Sequence, residues 1–293
     1  MAQTFSLHDA LPLLSSSLEG SPQRRSHSLA VATYTYDIAL KLVRQGYDVD
    51  PNYVKAVALV HDIGHGLLAM KGSIEEHALV ELALLQRLGF SDVGYLAASD
   101  FATHEGMLYA LHHGFSCVPV NSRKREYLKA NKFPVSQTAS GFHLDLRELV
   151  NDICLPGDGH TSLGHTLEKA IADEVFVPQT LEAQIVTYAD AHLTQGVPYS
   201  SDSLQDTYFL VGLPNGELYS VKHGSFANRV REIGERFANS DDPNCVKIRT
   251  CVEQAQPRIQ RLIDTLNSYV GIEAGTYVPP QTGYIIFETT LRR

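Results

Sequence analysis

The chain has 293 residues, enough to bury a large core, and neither an internal repeat nor a low-complexity tract interrupts it. A formal charge of −9 and a pI near 5.8 exclude a general nucleic-acid-binding surface, so any phosphate site has to be a local basic pocket. The four cysteines, Cys117, Cys154, Cys245 and Cys251, lack Cys-x-x-Cys spacing, which argues against a zinc knuckle or a disulfide framework. With no basic-then-apolar leader and no run of roughly 18 apolar residues, a soluble, cytoplasmic protein without a membrane partner is expected.

Residues 1 to 25 read as a short leader helix and a Ser/Pro-rich turn. A helix is expected from about Ser26 to Gly46, because Leu29, Ala32, Thr33, Tyr36, Ala39, Leu40 and Val43 recur at helical spacing. Asp50 and Pro51 form an N-cap and first-turn pair, so the next helix starts there and carries Val54, Val57, Ala58 and His61 inward. Continued further, that helix stacks Val57, His61 and His65 in one column, with Asp62 about 100° round from His61. Gly64 and Gly66 end it and leave room for a ligand. Ser73-Ile-Glu-Glu is a capping box for a helix from Ser73 to about Leu88, closed by Gly89, and a further helix covers roughly Asp92 to His113.

The polar, basic stretch from Asn121 to Ala139 contains Pro134 and reads as an exposed insertion or lid. Arg123, Lys124, Arg125, Lys129 and Lys132 there fit a solvated loop; the functional alternative is a cover for phosphates or a site for an activating nucleotide. PGDGHTSLGH is Gly-rich without the strand and helix context of a phosphate-binding loop. Thr180 caps a helix that contains Asp190, and VPYSSDS breaks it. Two short β runs flank Pro-Asn-Gly in TYFLVGLPNGELYSV, a hairpin signal. Helices at about 222–238 and 245–270 precede a tail of strand composition that is available to pair with the hairpin. The expected architecture is mostly α, a helical bundle with a small C-terminal β hairpin or sheet. Residues 1–205 form its core, with 121–178 as an insertion or lid, and 206–293 form an α+β extension packed on it. Of the 13 histidines, His8, His143 and His223 are expected at the surface or in turns.

Adjacent His61 and Asp62 end the apolar run of VALVHDIGHGLL. Imidazole nitrogen and carboxylate oxygen side by side suit a divalent ion and metal-assisted phosphoester hydrolysis. His27 upstream and Asp190 downstream lie in helical patterns and complete a set of two nitrogens and two oxygens. Manganese, magnesium, iron, nickel and zinc are not distinguished by that set. Arg24 is the first candidate for phosphate, since a guanidinium makes bidentate contacts to an oxyanion; the bland reading is a solvated arginine beside Arg25. His65 is the first candidate for proton transfer, its alternative being a histidine that only orients a ligand. His77 is the second, with Glu76 beside it to orient the ring.

The order His27, His61-Asp62, Asp190 resembles the HD phosphohydrolase superfamily, whose all-helical core binds metal through His, His-Asp and Asp. EAQIVTYADA is similar to the Glu-Ala-Gln-Ile-Val-x-x-Ala-Asp stretch of the deoxynucleoside triphosphate triphosphohydrolases, or dGTPases, and Arg24 and the Gly-His-Gly after Ile63 match as well. The resemblance covers roughly residues 22–90 and 179–205. It implies metal ligation by His27, His61, Asp62 and Asp190, phosphate contact by Arg24, and general acid or base chemistry at His77. It further implies release of deoxynucleoside and inorganic triphosphate, and assembly as a homo-oligomer. Two departures bear on the substrate pocket: Leu67-Leu68-Ala69-Met70 replaces the usual Pro-Phe-Gly/Ser-His, and Thr194 stands where a tyrosine is common.

His77 and the pair His112-His113 also resemble the extra ligands of binuclear HD phosphodiesterases, which open cyclic dinucleotides or diadenosine tetraphosphate. In that alternative His77 and His112 hold a second ion; a nucleotide phosphatase acting on monophosphates is a further variant. The lysine such phosphodiesterases often carry after Asp-Ile-Gly is His65 here. From another class, a catalytically weak nucleotide-binding regulator would keep the metal site without turnover.

Overall fold

In the computed structural model the described residues are 5–69, 76–99, 117–152, 176–200, 209–224, 231, 235, 243–270 and 284–287. The chain divides into two compact units. The first comprises Met1–Val60, Gln179–Glu232 and Pro257–Arg293, and the second His61–Pro178 and Ile233–Gln256.

Three helices open the first unit: α1 (Leu7–Ser17), α2 (Pro22–Arg44) and α3 (Pro51–Val60). α2 begins one turn earlier than its apolar pattern suggests, because Pro22 fits the first turn of a helix, where no N–H partner is needed. Asp50 caps α3 as expected, its Oδ1 accepting the N–H groups of Asn52 and Tyr53 at 2.8 and 3.2 Å. Leu29, Ile38 and Leu42 of α2 and Val54, Val57 and Ala58 of α3 are fully buried or nearly so, and α1 adds Leu11 and Leu14. The later helix α9 (Leu181–His192) packs on α2 and α3 through Ile185, Val186 and Ala189. The Thr180 hydroxyl oxygen accepts the Ala183 N–H and fixes the start of α9.

A four-stranded sheet completes this unit in the order β4-β6-β5-β7, with β4 (Val197–Pro198), β5 (Phe209–Gly212), β6 (Leu218–Val221) and β7 (Tyr284–Phe287). β5 and β6 form the expected hairpin, Phe209 opposite Val221 and Gly212 opposite Leu218. Gly216 turns it at φ 85°, a conformation that costs side chains other than glycine. The tail strand β7 pairs with β5 in parallel, Phe209 opposite Tyr284, so it joins the hairpin as its composition suggests.

The second unit begins with α4 (Ile63–Leu67), followed by α5 (His77–Arg87) and α6 (Ser91–Ala97). The single helix expected through His61 and His65 does not form. α3 stops at Val60, residues 61–62 make a turn, and Asp62 (φ −117°, ψ 5°) is the cap residue of the short α4. A five-residue helix with two glycines has little propensity of its own, so tertiary packing decides where the backbone bends. The stretch expected as an insertion or lid contains α7 (Arg125–Ala130), β2 (Val135–Thr138), β3 (Gly141–Asp145) and α8 (Leu146–Asp152). With β1 (Cys117–Pro119) the strands form an antiparallel sheet in the order β1-β3-β2. Val118, Leu128, Phe133 and Leu144 are buried beneath it, while Arg123, Lys129 and Lys132 remain exposed. α10 (Pro243–Val270) runs where a helix is expected; the helix expected at about 222–238 falls largely outside the described residues. The architecture is mostly α with small sheets. No helix among the described residues is long and apolar enough to cross a membrane.

Candidate functional site

In the first unit α2 and α9 bring together the two outermost ligands expected from the sequence. His27 is wholly buried, and its Nε2 lies 2.8 Å from Asp190 Oδ1. Its other nitrogen, Nδ1, is 2.9 Å from the carbonyl oxygen of Thr194. A carbonyl oxygen only accepts, so Nδ1 carries a proton and Nε2 is the nitrogen left to face the carboxylate. Two electron pairs facing each other at that distance repel unless a proton or a cation lies between them. The pair therefore suits a metal ion, because donors each about 2.1 Å from one ion stand no more than about 4.2 Å apart.

Arg24 precedes His27 by three residues in α2 and so lies on the same side of the helix, half-buried. Arg25 is committed elsewhere: its Nη2 donates to Ser15 Oγ at 3.1 Å, tying α2 to α1.

In the second unit one carboxylate gathers three imidazoles. Asp62 Oδ1 lies 3.9 Å from His61 Nε2, 3.5 Å from His65 Nε2 and 3.6 Å from His77 Nε2. Asp62, His65 and His77 each offer a ligand atom, and these atoms all lie within 4.8 Å of one another. The His65 and His77 rings stack at 3.7 Å with 16° between their planes. Gly64 permits this. A Cβ there would be 2.7 Å from the His77 carbonyl carbon, and closer still to its oxygen, so only glycine lets α4 lie against the start of α5. The histidine that would share a helix face with His61 is thereby placed with Asp62 and His77. Glu76, next to His77, is buried, as is Glu81 one turn on. His112 and His113 lie outside the described residues.

Thr194, which stands where the triphosphohydrolases commonly have a tyrosine, thus holds His27 through its backbone. Sequence reasoning also missed His192 and His223. His223 is a half-buried residue that stacks on His192 at 5.3 Å and meets Tyr34 edge-on at 5.9 Å, which corrects the expectation of a surface or turn residue. Burial, and then the neighbouring His192, push its pKa down to about 4. Burial lowers the His192 pKa too, partly offset by the bond between its Nδ1 and the Tyr188 carbonyl at 2.7 Å. Tyr188 in turn donates its hydroxyl to Asn267 Oδ1 at 2.7 Å. No local motif marks His223, which is why its periodicity gave no signal.

The sequence pattern of the HD domain family matches residues 24–194, which run from Arg24 through all the expected ligands to Thr194. Over 70 residues the chain is 39% identical to a protein of Methanocaldococcus jannaschii named only as uncharacterized, a stretch that takes in 22% of this chain. The match spans 37% of that relative's length. No solved structure matches the chain. The chain belongs to the HD domain family.

Proposed function

We propose that this HD-domain protein hydrolyses a deoxynucleoside triphosphate to the deoxynucleoside and inorganic triphosphate, with His27, His61, Asp62 and Asp190 as ligands of one divalent ion. The observation that carries the reading is the helix Leu181–His192. It holds the Glu-Ala-Gln-Ile-Val-x-x-Ala-Asp pattern, and its Asp190 meets His27 at 2.8 Å. His61 follows Val60, the last residue of α3, and α3 packs on α2 in the unit that holds His27 and Asp190. When bound, the ion supplies a Lewis acid for a phosphate oxygen and lowers the pKa of water.

The protein's own groups do the rest. Arg24 neutralises phosphate charge, on the helix face of His27. Water attacks the α-phosphorus, the bond to the 5′ oxygen breaks, and His65 or His77 gives that oxygen a proton. Glu76 restrains His77. Stacking of the two rings over one Asp62 oxygen keeps both imidazoles within reach of the same point.

One observation favours a second reading. Asp62, His65 and His77 are by themselves a group able to hold an ion, which suits the binuclear phosphodiesterases, with Asp62 shared by two metals. Ion-exchange chromatography separates the readings. The pure protein with manganese would be incubated with the four deoxynucleoside triphosphates, a nucleoside monophosphate, diadenosine tetraphosphate and a cyclic dinucleotide. Nucleoside with intact triphosphate supports the first reading. Cleavage of the dinucleotides alone, or phosphate from the monophosphate, moves the assignment to the second or to a phosphatase. Tight nucleotide binding without turnover supports a regulator.

A further inference from the structure

We infer that Thr194 is a positioning residue for the metal centre: its backbone fixes the tautomer of His27, and its side chain locks that backbone onto the C-terminal sheet. The inference rests on the reading of His27 as a metal ligand. The His27 Nδ1–H donates to the Thr194 carbonyl at 2.9 Å, which leaves Nε2, the nitrogen facing Asp190, as the only ligand atom of the ring. That carbonyl lies just beyond α9, in a segment with no secondary structure of its own, so something has to hold it in place.

Bonds from two directions do so. Thr194 N–H donates to the Lys222 carbonyl at 3.0 Å, and Thr194 Oγ1 accepts the Lys222 N–H at 3.1 Å. The side chain thus completes, one residue along, the ladder begun by the bridge between Leu193 and His223, and the Gly224 N–H closes it on the His192 carbonyl at 2.7 Å. On the other side Gly196 N–H donates to the Gln23 carbonyl at 3.2 Å, in the first turn of α2. A Cβ on Gly196 would overlap Ser26 Oγ and come within 2.9 Å of the Gln23 oxygen, so the segment lies directly on the helix that carries Arg24 and His27. Residues 193–196 are therefore a strap between β6 and α2, and the hydroxyl of Thr194 is its side-chain fastening. A tyrosine at 194 offers no oxygen at the β carbon and could not make the bond to Lys222. The departure from the triphosphohydrolase pattern acquires a physical role.

The test compares Thr194→Val, which keeps the shape and loses the acceptor, with Thr194→Ser, which keeps the acceptor. Thr194→Ala serves if the valine variant does not fold. Long-range 1H–15N spectra of Zn2+-loaded, 15N-labelled protein report whether the His27 proton sits on Nδ1, assigned with His27→Gln. Isothermal titration with Zn2+ reports affinity. We expect the wild type and Thr194→Ser to hold the Nδ1–H form, and Thr194→Val or Thr194→Ala to populate the other tautomer and bind Zn2+ about 10- to 100-fold more weakly. An unchanged tautomer and affinity in the valine and alanine variants overturns the inference, as does a serine variant that behaves like them. If wild type and His27→Gln bind Zn2+ equally, the ligand reading fails instead, and the strap is then judged by whether Thr194→Val alone loses the protected Nδ1–H signal that wild type and Thr194→Ser keep.

Discussion

Replacing Gly64 by alanine tests how tightly the Asp62–His65–His77 group depends on one close approach. The new Cβ would stand 2.7 Å from the carbonyl carbon and 3.0 Å from the Cα of His77, against an ordinary contact of 3.4 Å or more. The obstruction is backbone, so no rotamer change relieves it, and α4 and α5 must separate by about 0.7 Å or more. Overpacking of this kind costs about 1–3 kcal/mol, offset by up to about 1 kcal/mol because alanine is the better helix former. The net loss of up to about 3 kcal/mol lowers Tm by roughly 2–4 °C for each kcal/mol. Since His65 adjoins Gly64 and His77 is the residue struck, the separation also pulls two imidazoles away from Asp62, and metal affinity falls with stability. Gly20→Ala is the control, because nothing lies within 4 Å of its Cβ. Thermal circular dichroism and titration of the metal-stripped protein would be run on both. A Gly64→Ala protein that melts with Gly20→Ala and the wild type, and binds metal equally well, refutes the close approach as the determinant of this group.

Asp190→Asn should abolish tight metal binding at His27, read by metal content after dialysis, because a neutral amide replaces the charge that faces Nε2 at 2.8 Å. Arg24→Ala should lower kcat/KM for a nucleoside triphosphate by about 10- to 100-fold, the worth of a charge-assisted phosphate contact of roughly 1.5–3 kcal/mol. Arg25→Ala, which loses the bond to Ser15, should instead lower Tm with kcat/KM little changed. Acid should destabilise the fold through His223. Its folded pKa of about 4 lies below the ordinary value of 6.5, so between these values the unfolded chain takes a proton that the native protein refuses. Stability is then fully present above about pH 6.5 and falls as pH drops towards 4, by about 2 kcal/mol at pH 5, with His192 acting in the same direction. Urea unfolding at pH 7.5 and 5.0 measures this, and a His223→Asn protein that loses as much stability as the wild type would show the cause to lie elsewhere.

The candidate metal ligands were legible because what singles them out is residue type and order. His27, adjacent His61-Asp62 and Asp190 need no geometry to be singled out, and the caps Asp50 and Thr180 act within three residues of their partners. The hairpin was equally local, fixed by Pro-Asn-Gly and by Gly216. Where an element depends on distant packing the sequence misled or was silent. Val57, His61 and His65 fit one helical column, yet the backbone turns at 61–62 and places His65 over His77. His223 has no motif around it, and its burial follows from the bridge to Leu193, beyond the end of β6, that sets it against Tyr34 and His192.

The residues that shape the site are therefore of two kinds. Ligands are recognisable by chemistry, since only a few side chains offer the right donor atoms. The positions that aim them are recognisable at most as permissive residues: Gly64 and Gly196 announce that a neighbour approaches closely, but not which one. Here the neighbours are the His77 backbone and the start of α2, the one belonging to a candidate proton donor and the other opening the helix of the first candidate metal ligand. Thr194 belongs to the same class, for its side chain touches no ligand, and its effect reaches His27 only through a carbonyl that any residue would possess. A difference from the family pattern at such a position carries no chemical meaning until the hydrogen bonds are known. Substitutions at 64, 194 and 196 should consequently alter metal affinity as strongly as changes to Glu76, the carboxylate that the sequence places beside His77.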